Sequence, residues 1–335
     1  MRILVTGGAG FIGSNFIRHI LKRYPSYKII NLDKLTYAGN LENLKNVHSH
    51  PNYKFVKGDI CNPTLVRKLM SGCDCVVNFA AESHVDRSIL EPDAFIKTNF
   101  LGTHILLEAA RENGIKRFLQ IGTDEVYGSI ENGSFKETDP LLPSSPYSSS
   151  KASADLLALS YHTTYGMNVI VTRSTNNFGP YQYPEKFIPL FVINAIEGKE
   201  LPLYGDGLNV RSWIHVEDNC RGISLLMKMG KPGEIYNIGS STEMANIDVA
   251  RLILKFLKAD ESLIRFVKDR PGHDRRYSVN SEKIRLLGWK ELSDFKKMLE
   301  KTVKWYSDNH SWWIRIRRKK DTYQNYYKRQ YGGKI

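Results

Sequence analysis

The chain has 335 residues, 41% of them hydrophobic and 25% charged, with a net charge of +13. That is enough chain for a large core and more than one lobe, and the composition is that of an ordinary globular protein. No apolar run approaches the roughly 20 residues of a membrane helix. The glycine-broken start "MRILVTGGAGFIG" lacks an export signal's cleavage site, so a cytoplasmic protein with no membrane partner is expected.

In chain order, short runs rich in Val and Ile alternate with longer amphipathic stretches. The first run, "RILVTG", leads through "GGAGFIG" into the helix-like "FIGSNFIRHILKRY". Gly7, Gly10 and Gly13 stand at GxxGxxG spacing there. Glycine permits a sharp turn and a close backbone approach to a diphosphate, and the following helix start offers unpaired N–H groups to it. The second run, "KIINLD", ends on Asp33, 20 residues after Gly13. A carboxylate there accepts hydrogen bonds from the adenosine ribose and repels a 2′-phosphate, favouring NAD over NADP, although Lys34 works against that preference.

The third and fourth runs, "YKFVKGD" and "DCVVNFAA", place Asp59 and Ile60, then "NFAAES", where the adenine and diphosphate would pass. A long helical stretch follows, "DAFIKTNFLGTHILLEAARENG", then "RFLQIGT" and the acidic "TDEVYG". Asp124 and Glu125 are neighbours, and adjacent strand residues face opposite sides, so both reach one pocket only if the strand ends before them. Crowded carboxylates separate in pKa, so that one serves as acid and the other as base. In "PYSSSK", Tyr147 and Lys151 lie one helical turn apart on one face, where the ammonium would favour the tyrosinate.

After "NVIVTRS" the pattern loosens into "NNFGPYQYPEKFIPL" and "GKELPLYGDGLNVRSWIH", rich in Gly, Pro and aromatics as pocket-forming loops often are. "GEIYNIG" reads as a strand returning to the sheet near 234–239, and "NIDVARLILKFLK" as a helix. Repeated strand and helix define an α/β protein with a Rossmann-type doubly wound parallel sheet. The expected division is a dinucleotide domain over 1–175, a smaller interleaved substrate lobe over 176–310 and a basic aromatic tail over 311–335. The tail holds eight Lys/Arg against one Asp. Nucleic-acid binding by such a segment is disfavoured against a docked or solvated terminus. Cys61, Cys73, Cys75 and Cys220 match no zinc spacing, so reduced thiols and no metal are expected.

Taken together, "GGAGFIG", "LDKLTYAGN", "AAESHVDRS", "TDEVYG", "YSSSK", "NNFGPYQYPEKFIPL", "LPLYGDGLNVRSWIHVEDN" and "DRPGHDRRY" resemble the extended short-chain dehydrogenase/reductase superfamily. Within it the resemblance is to the nucleotide-sugar 4,6-dehydratases, and it runs from residue 1 to about 310. It implies NAD bound by Gly7, Gly10, Phe11, Ile12, Gly13, Asp33, Lys34, Thr36, Gly39, Asp59, Ile60, Phe79, Ala80, Ala81, Ser83, Thr98, Tyr147, Lys151 and Asn177. It implies a sugar nucleotide held by Ser83, His84, Thr123, Asp124, Glu125, Asn176, Lys186, Pro202, Tyr204, Arg211, Asn246, Arg270 and His273, with Asp86 near cofactor and sugar.

In the implied chemistry Tyr147 takes the 4-hydroxyl proton, Thr123 hydrogen-bonds that hydroxyl, Glu125 removes the C5 proton and Asp124 protonates the departing C6 oxygen. Arg211 and Arg270 match diphosphate-binding positions, since planar guanidinium groups suit a diphosphate. Related sugar 4-epimerases place small neutral residues at 124 and 125, and GDP-mannose dehydratases look like Thr-Ser-Glu over 123–125. A thymine and a uracil nucleotide differ by one methyl, which no single residue here settles, so a UDP-sugar dehydratase remains a rival, as do a nucleotide-sugar 4-epimerase, against which Thr123, Asp124 and Glu125 argue, and an NAD-sensing nucleic-acid-binding protein. A homodimer is implied by the resemblance alone.

Overall fold

The computed structural model describes residues 1–319 and 323–331, so Lys320, Asp321 and Lys334 of the basic tail lie outside the described residues. Seven strands form the central parallel sheet: β1 (Arg2–Thr6), β2 (Lys28–Asp33), β3 (Tyr53–Lys57), β4 (Cys75–Asn78), β5 (Arg117–Thr123), β6 (Val169–Ser174) and the late β10 (Ile235–Ile238). Their order is β10-β6-β5-β4-β1-β2-β3. β1 therefore sits between β2 and β4. That reversal of winding opens a crevice at the carboxyl ends of the strands, where such sheets bind ligands.

Both faces of the sheet are covered, which is why the strands read as unbroken apolar runs. On one face Ile3, Val5, Val77, Leu119 and Ile121 pack with Phe16, Ile17 and Ile20 of the helix Phe11–Arg23 and with Ile223 and Leu226 of the helix Val216–Met229. On the other, Leu4, Leu32, Val76 and Phe118 meet Val66, Leu106, Leu107 and Tyr161 from three helices.

The later chain builds a second core around Phe178, Ile188, Phe191, Trp213, Ile253 and Leu299. The stretches expected to be loops contain short strands instead. β7 (Asn176–Phe178) and β11 (Glu243–Ala245) flank β9 (Val210–His215), and β8 (Leu201–Tyr204) pairs with β12 (Ile264–Val267). The reason is long-range pairing: Pro202 has its register partner at Arg265. The stretch from 93 to 114 is not one helix either. A π-turn over Ile96–Leu101 separates Pro92–Phe95 from Gly102–Glu112.

The described part of the tail is docked. Its helices His310–Arg317 and Asn325–Tyr331, with Tyr323 between them, bury Trp312, Trp313, Ile316, Tyr323 and Tyr327 in the second core. Among the described residues no helix is long and apolar enough to cross a membrane.

Candidate active site

β5 stops at Thr123, and Asp124–Tyr127 turns at once into a 3-10 helix. The Thr123 hydroxyl accepts the Glu125 N–H at 3.4 Å and donates to Asp124 Oδ1 at 3.3 Å. This turn brings both carboxylates to one cavity, which the alternation of a continued strand would forbid. The opposite wall is the helix Pro146–Tyr165, started by a Ser145–Ser148 capping box with proline at its first turn. That start sets Tyr147 and Lys151 facing the acidic turn, and Thr123 lies in hydrogen-bond reach of the Tyr147 hydroxyl.

The electrostatics divide the two carboxylates. Burial first, and then the Glu125 charge, push Asp124 up to about 8, against the pull of Arg211. Its Oδ2 is buried without a hydrogen-bond partner. A neutral, proton-bearing Asp124 is the consequence. Glu125 is also raised by burial, but Arg270, Lys186 and Arg211 all pull it back towards the carboxylate. Asp124 faces one opposing cation and Glu125 three, so of the two Glu125 is the better placed to act as the base.

Tyr147 departs from expectation. Burial, and then Glu125, push its hydroxyl well up, with the Thr123 hydrogen bond opposing. Lys151 is itself buried, which lowers its pKa, and its Nζ donates to the Ile121 carbonyl at 2.5 Å.

Every residue expected at the cofactor, from Gly7 through Asp33, Asp59 and Thr98 to Asn177, lines this same cavity, along with Asn176 and Lys186. The first glycine has φ +67, and a Cβ on it would lie 2.6 Å from the Ala80 nitrogen. A Cβ on Gly13 would meet the Gly7 carbonyl oxygen at 2.4 Å. The helix Phe11–Arg23 starts without a side-chain cap or an acidic first turn, so its free N–H groups suit a diphosphate. Asp33 accepts Ala9 N–H at 2.9 Å and Leu35 N–H at 2.8 Å, so it shapes the glycine turn as well as facing the cavity. Lys34 is paired with Asp59 at 2.8 Å, which occupies the charge that argued against NAD. These features fit a dinucleotide.

The remaining expected substrate residues stand off that wall. Tyr204, Arg270 and His84 converge instead on Asp86. Tyr204 donates to Asp86 Oδ2 at 3.0 Å, Arg270 Nη1 pairs with Oδ1 at 3.0 Å, and His84 Nδ1 lies 4.0 Å from Oδ2. His273 packs edge-on to Tyr204, with ring centroids 5.9 Å apart. Burial pushes both His84 and His273 down to about 4, so each is neutral at pH 7. Arg211 is buried and donates to the Asp274 carbonyl at 2.8 Å. Asn246 starts the helix Asn246–Leu257, and Pro202 is buried in β8.

Asn176 Oδ1, Asn246 Oδ1 and Arg270 Nε are all buried without protein partners, as polar groups awaiting a ligand would be. Sequence reasoning missed Glu82, Ser174, Thr175, Gln182 and Tyr183, which also line the cavity. It also missed Tyr326, Gln330 and Tyr331, which touch Asp86 or Tyr204. The basic composition of the tail disguised that role. No group of three metal-ligating side chains occurs among the described residues.

A doubly wound sheet whose crevice carries a glycine turn, a Tyr–Lys pair and a divided carboxylate pair defines a nucleotide-sugar dehydratase. The GDP-mannose 4,6 dehydratase family model matches residues 4–302, and the chain belongs to that family. It is 51% identical over 318 residues to the dTDP-glucose 4,6-dehydratase of Streptomyces niveus, covering 93% of this chain and 95% of that one. The crystal structure of DesIV, a dTDP-glucose 4,6-dehydratase from Streptomyces venezuelae with NAD bound, matches with a TM-score of 0.93 at 51% identity. It covers 94% of this chain and 100% of the other. The dTDP-glucose 4,6-dehydratase of Bacillus anthracis in complex with NAD matches with a TM-score of 0.89 at 50% identity, covering 94% and 99%.

Proposed function

We propose that the protein converts dTDP-glucose to dTDP-4-keto-6-deoxyglucose and water. The observation that carries this reading is the pair at the end of β5, a proton-holding Asp124 beside a Glu125 whose rise on burial three cations, Arg270, Lys186 and Arg211, oppose. An epimerase has no use for that pair, because it only removes and returns hydrogen at C4.

Gly7, Gly10, Gly13 and Asp33 hold NAD, with Lys151 and Asn177 at its nicotinamide end. Bound NAD⁺ supplies the hydride acceptor for C4 and, once reduced, the donor for C6, and its positive ring favours the tyrosinate. Tyr147 accepts the 4-hydroxyl proton while Thr123 orients that hydroxyl. The resulting ketone acidifies the C5 hydrogen, which Glu125 removes. Asp124 protonates the C6 oxygen, which leaves as water, and Glu125 returns its proton to C5. Tyr147 then carries one extra proton and Asp124 lacks one, and exchange with solvent restores both. General acid and base steps of this kind contribute about 10²- to 10⁴-fold each.

Arg211 and Arg270 receive the diphosphate, and Tyr204, Asn246 and His273 the nucleoside. The buried, unpartnered Arg270 Nε and Asn246 Oδ1 support that assignment. Ile89, Leu90, Ile96, Phe100, Leu101 and Leu156 are exposed on neighbouring helices, an apolar face that supports a homodimer. The four free thiols agree with a reducing, cytoplasmic setting.

Incubating the purified protein with dTDP-glucose and no added reductant should yield the 4-keto-6-deoxy sugar. Formation of a C4 epimer alone would refute the reading. UDP-glucose in a parallel assay, turned over with higher kcat/KM, would reassign the nucleotide.

A further inference from the structure

The helix Asn325–Tyr331 does not end on neutral ground. Trp312, Trp313 and Ile316 fix the preceding helix in the second core, and Tyr323 and Tyr327 continue that anchorage. On the other side of the same short helix, Tyr326 is buried and its hydroxyl donates to Asp86 Oδ2 at 3.2 Å. The Tyr326 ring takes the Arg87 guanidinium over its face at 4.4 Å and lies against His84, with centroids 5.3 Å apart. One turn later Gln330 Nε2 donates to the Tyr204 hydroxyl at 2.6 Å, and the Tyr331 ring stacks on Tyr204 with 28° between planes.

These contacts act on the groups assigned to the sugar nucleotide. Asp86 is a buried carboxylate shared by Arg270, Tyr204 and Tyr326. With Tyr326 and Tyr204 satisfying Oδ2, Asp86 holds Arg270 through Oδ1 and Nη1 alone. Arg270 Nε stays without a protein partner. Without the Tyr326 hydroxyl, Oδ2 loses a donor, and the guanidinium can swing to pair with both oxygens, as a fork facing a carboxylate prefers. That movement withdraws it from a diphosphate. Gln330 in the same way fixes the Tyr204 hydroxyl, leaving the ring of that tyrosine a defined position between His273 and Tyr331.

We infer that the helix Asn325–Tyr331 forms a wall of the nucleotide-sugar site, in which Tyr326 positions Arg270 through Asp86 and Gln330 positions Tyr204. The inference rests on the proposed function for the identity of the ligand, a nucleoside diphosphate sugar. It makes the basic aromatic segment a determinant of substrate affinity, with no part in the acid–base steps.

The test uses the full-length protein with Tyr326→Phe and Gln330→Ala, singly and together. Steady-state kinetics with dTDP-glucose, calorimetric binding of dTDP, NAD content and thermal midpoint are measured for each. Loss of one hydrogen bond to a charged group should raise both KM and the dTDP dissociation constant about tenfold in Tyr326→Phe. The expected kcat stays within about twofold of the parent, because the acid–base groups are untouched. NAD content should not change, and the thermal midpoint should fall by no more than one lost buried hydrogen bond costs.

Unchanged affinity in both single variants would overturn the inference. So would tighter binding with higher kcat/KM, which would mean that the segment is a plug the substrate displaces. A fall in kcat and thermal midpoint with affinity intact would reduce the segment to a structural strap and equally overturn it. If the parent protein binds dTDP but does not dehydrate dTDP-glucose, the functional reading fails while the dTDP measurements still judge the wall.

Discussion

Asp124 and Glu125 differ by one methylene and one position, and burial raises both, but only Glu125 has three cations, Arg270, Lys186 and Arg211, opposing that rise. The ordinary carboxylate value of 3.8 rises to about 8 at Asp124. Between those values the folded protein keeps a proton that the unfolded chain releases, so this site costs stability progressively as pH rises from about 4 to about 8. Activity needs the same proton, so kcat should fall as pH passes about 8, with the C6–O cleavage step responsible. Asp124→Asn should lose about 10²- to 10⁴-fold in dehydration, while its thermal midpoint declines less steeply with pH than that of the parent. Scanning calorimetry across that range measures the slope, and an identical slope in the variant would place the proton elsewhere. Glu125→Gln should pass hydrogen from C4 but stop there. Its reduced-cofactor absorbance should build up on adding substrate, and product formation should fall by a similar factor of about 10²–10⁴.

At the same scale, GxxGxxG and YxxxK were legible because their chemistry depends on local spacing. The pairing of Lys34 with Asp59, which removes the objection to NAD, was not legible, since the two follow different strands. Nor was the Lys151 bond to the Ile121 carbonyl, since the two are 30 residues apart in sequence.

Among the elements, the turn between β1 and the helix Phe11–Arg23 admits the least change. Gly7→Ala forces a non-glycine residue to φ +67, and the new Cβ meets the backbone of Phe79 and Ala80 at under 3 Å. The conformation alone costs about 1–2 kcal/mol, and the clash adds to it. The variant should melt earlier than the parent and purify with less NAD, as the extracted cofactor would show. A parent-like midpoint and full cofactor content would contradict the close approach drawn here.

The strands of the central sheet could be read from composition because burial on both faces leaves nearly continuous Val and Ile. The strands of the second lobe could not. β7, β8 and β11 are three or four residues long, carry Asn, Pro or Glu, and owe their form to partners distant in sequence. The π-turn over Ile96–Leu101 was hidden for the opposite reason, since its residues suit an unbroken helix. It widens the helix by the turn that carries Thr98 to the cavity and Asn99 to hydrogen bonds with Glu82 and Ser150.

For the whole molecule, the fold class and the expected cofactor cavity followed from the sequence, whereas the docking of residues 323–331 beside Asp86 did not. Eight basic residues and interleaved aromatics look the same whether a terminus is solvated or folded back. Only packing separates the two. The exposed apolar face on the helices around Leu90, Phe100 and Leu156 belongs to this scale as well. Leu90→Glu with Phe100→Glu should convert a dimer to a monomer in sedimentation velocity, and a parent protein that sediments as a monomer would refute the proposed assembly.

The most direct measurement follows the hydrogen itself. dTDP-glucose carrying deuterium at C4 is incubated in ordinary water without added reductant, and the product is read by proton NMR. Deuterium should leave C4 and reappear at C6. Label retained at C4, or lost to solvent, would contradict a redox-neutral dehydration carried by the acid and base at the end of β5.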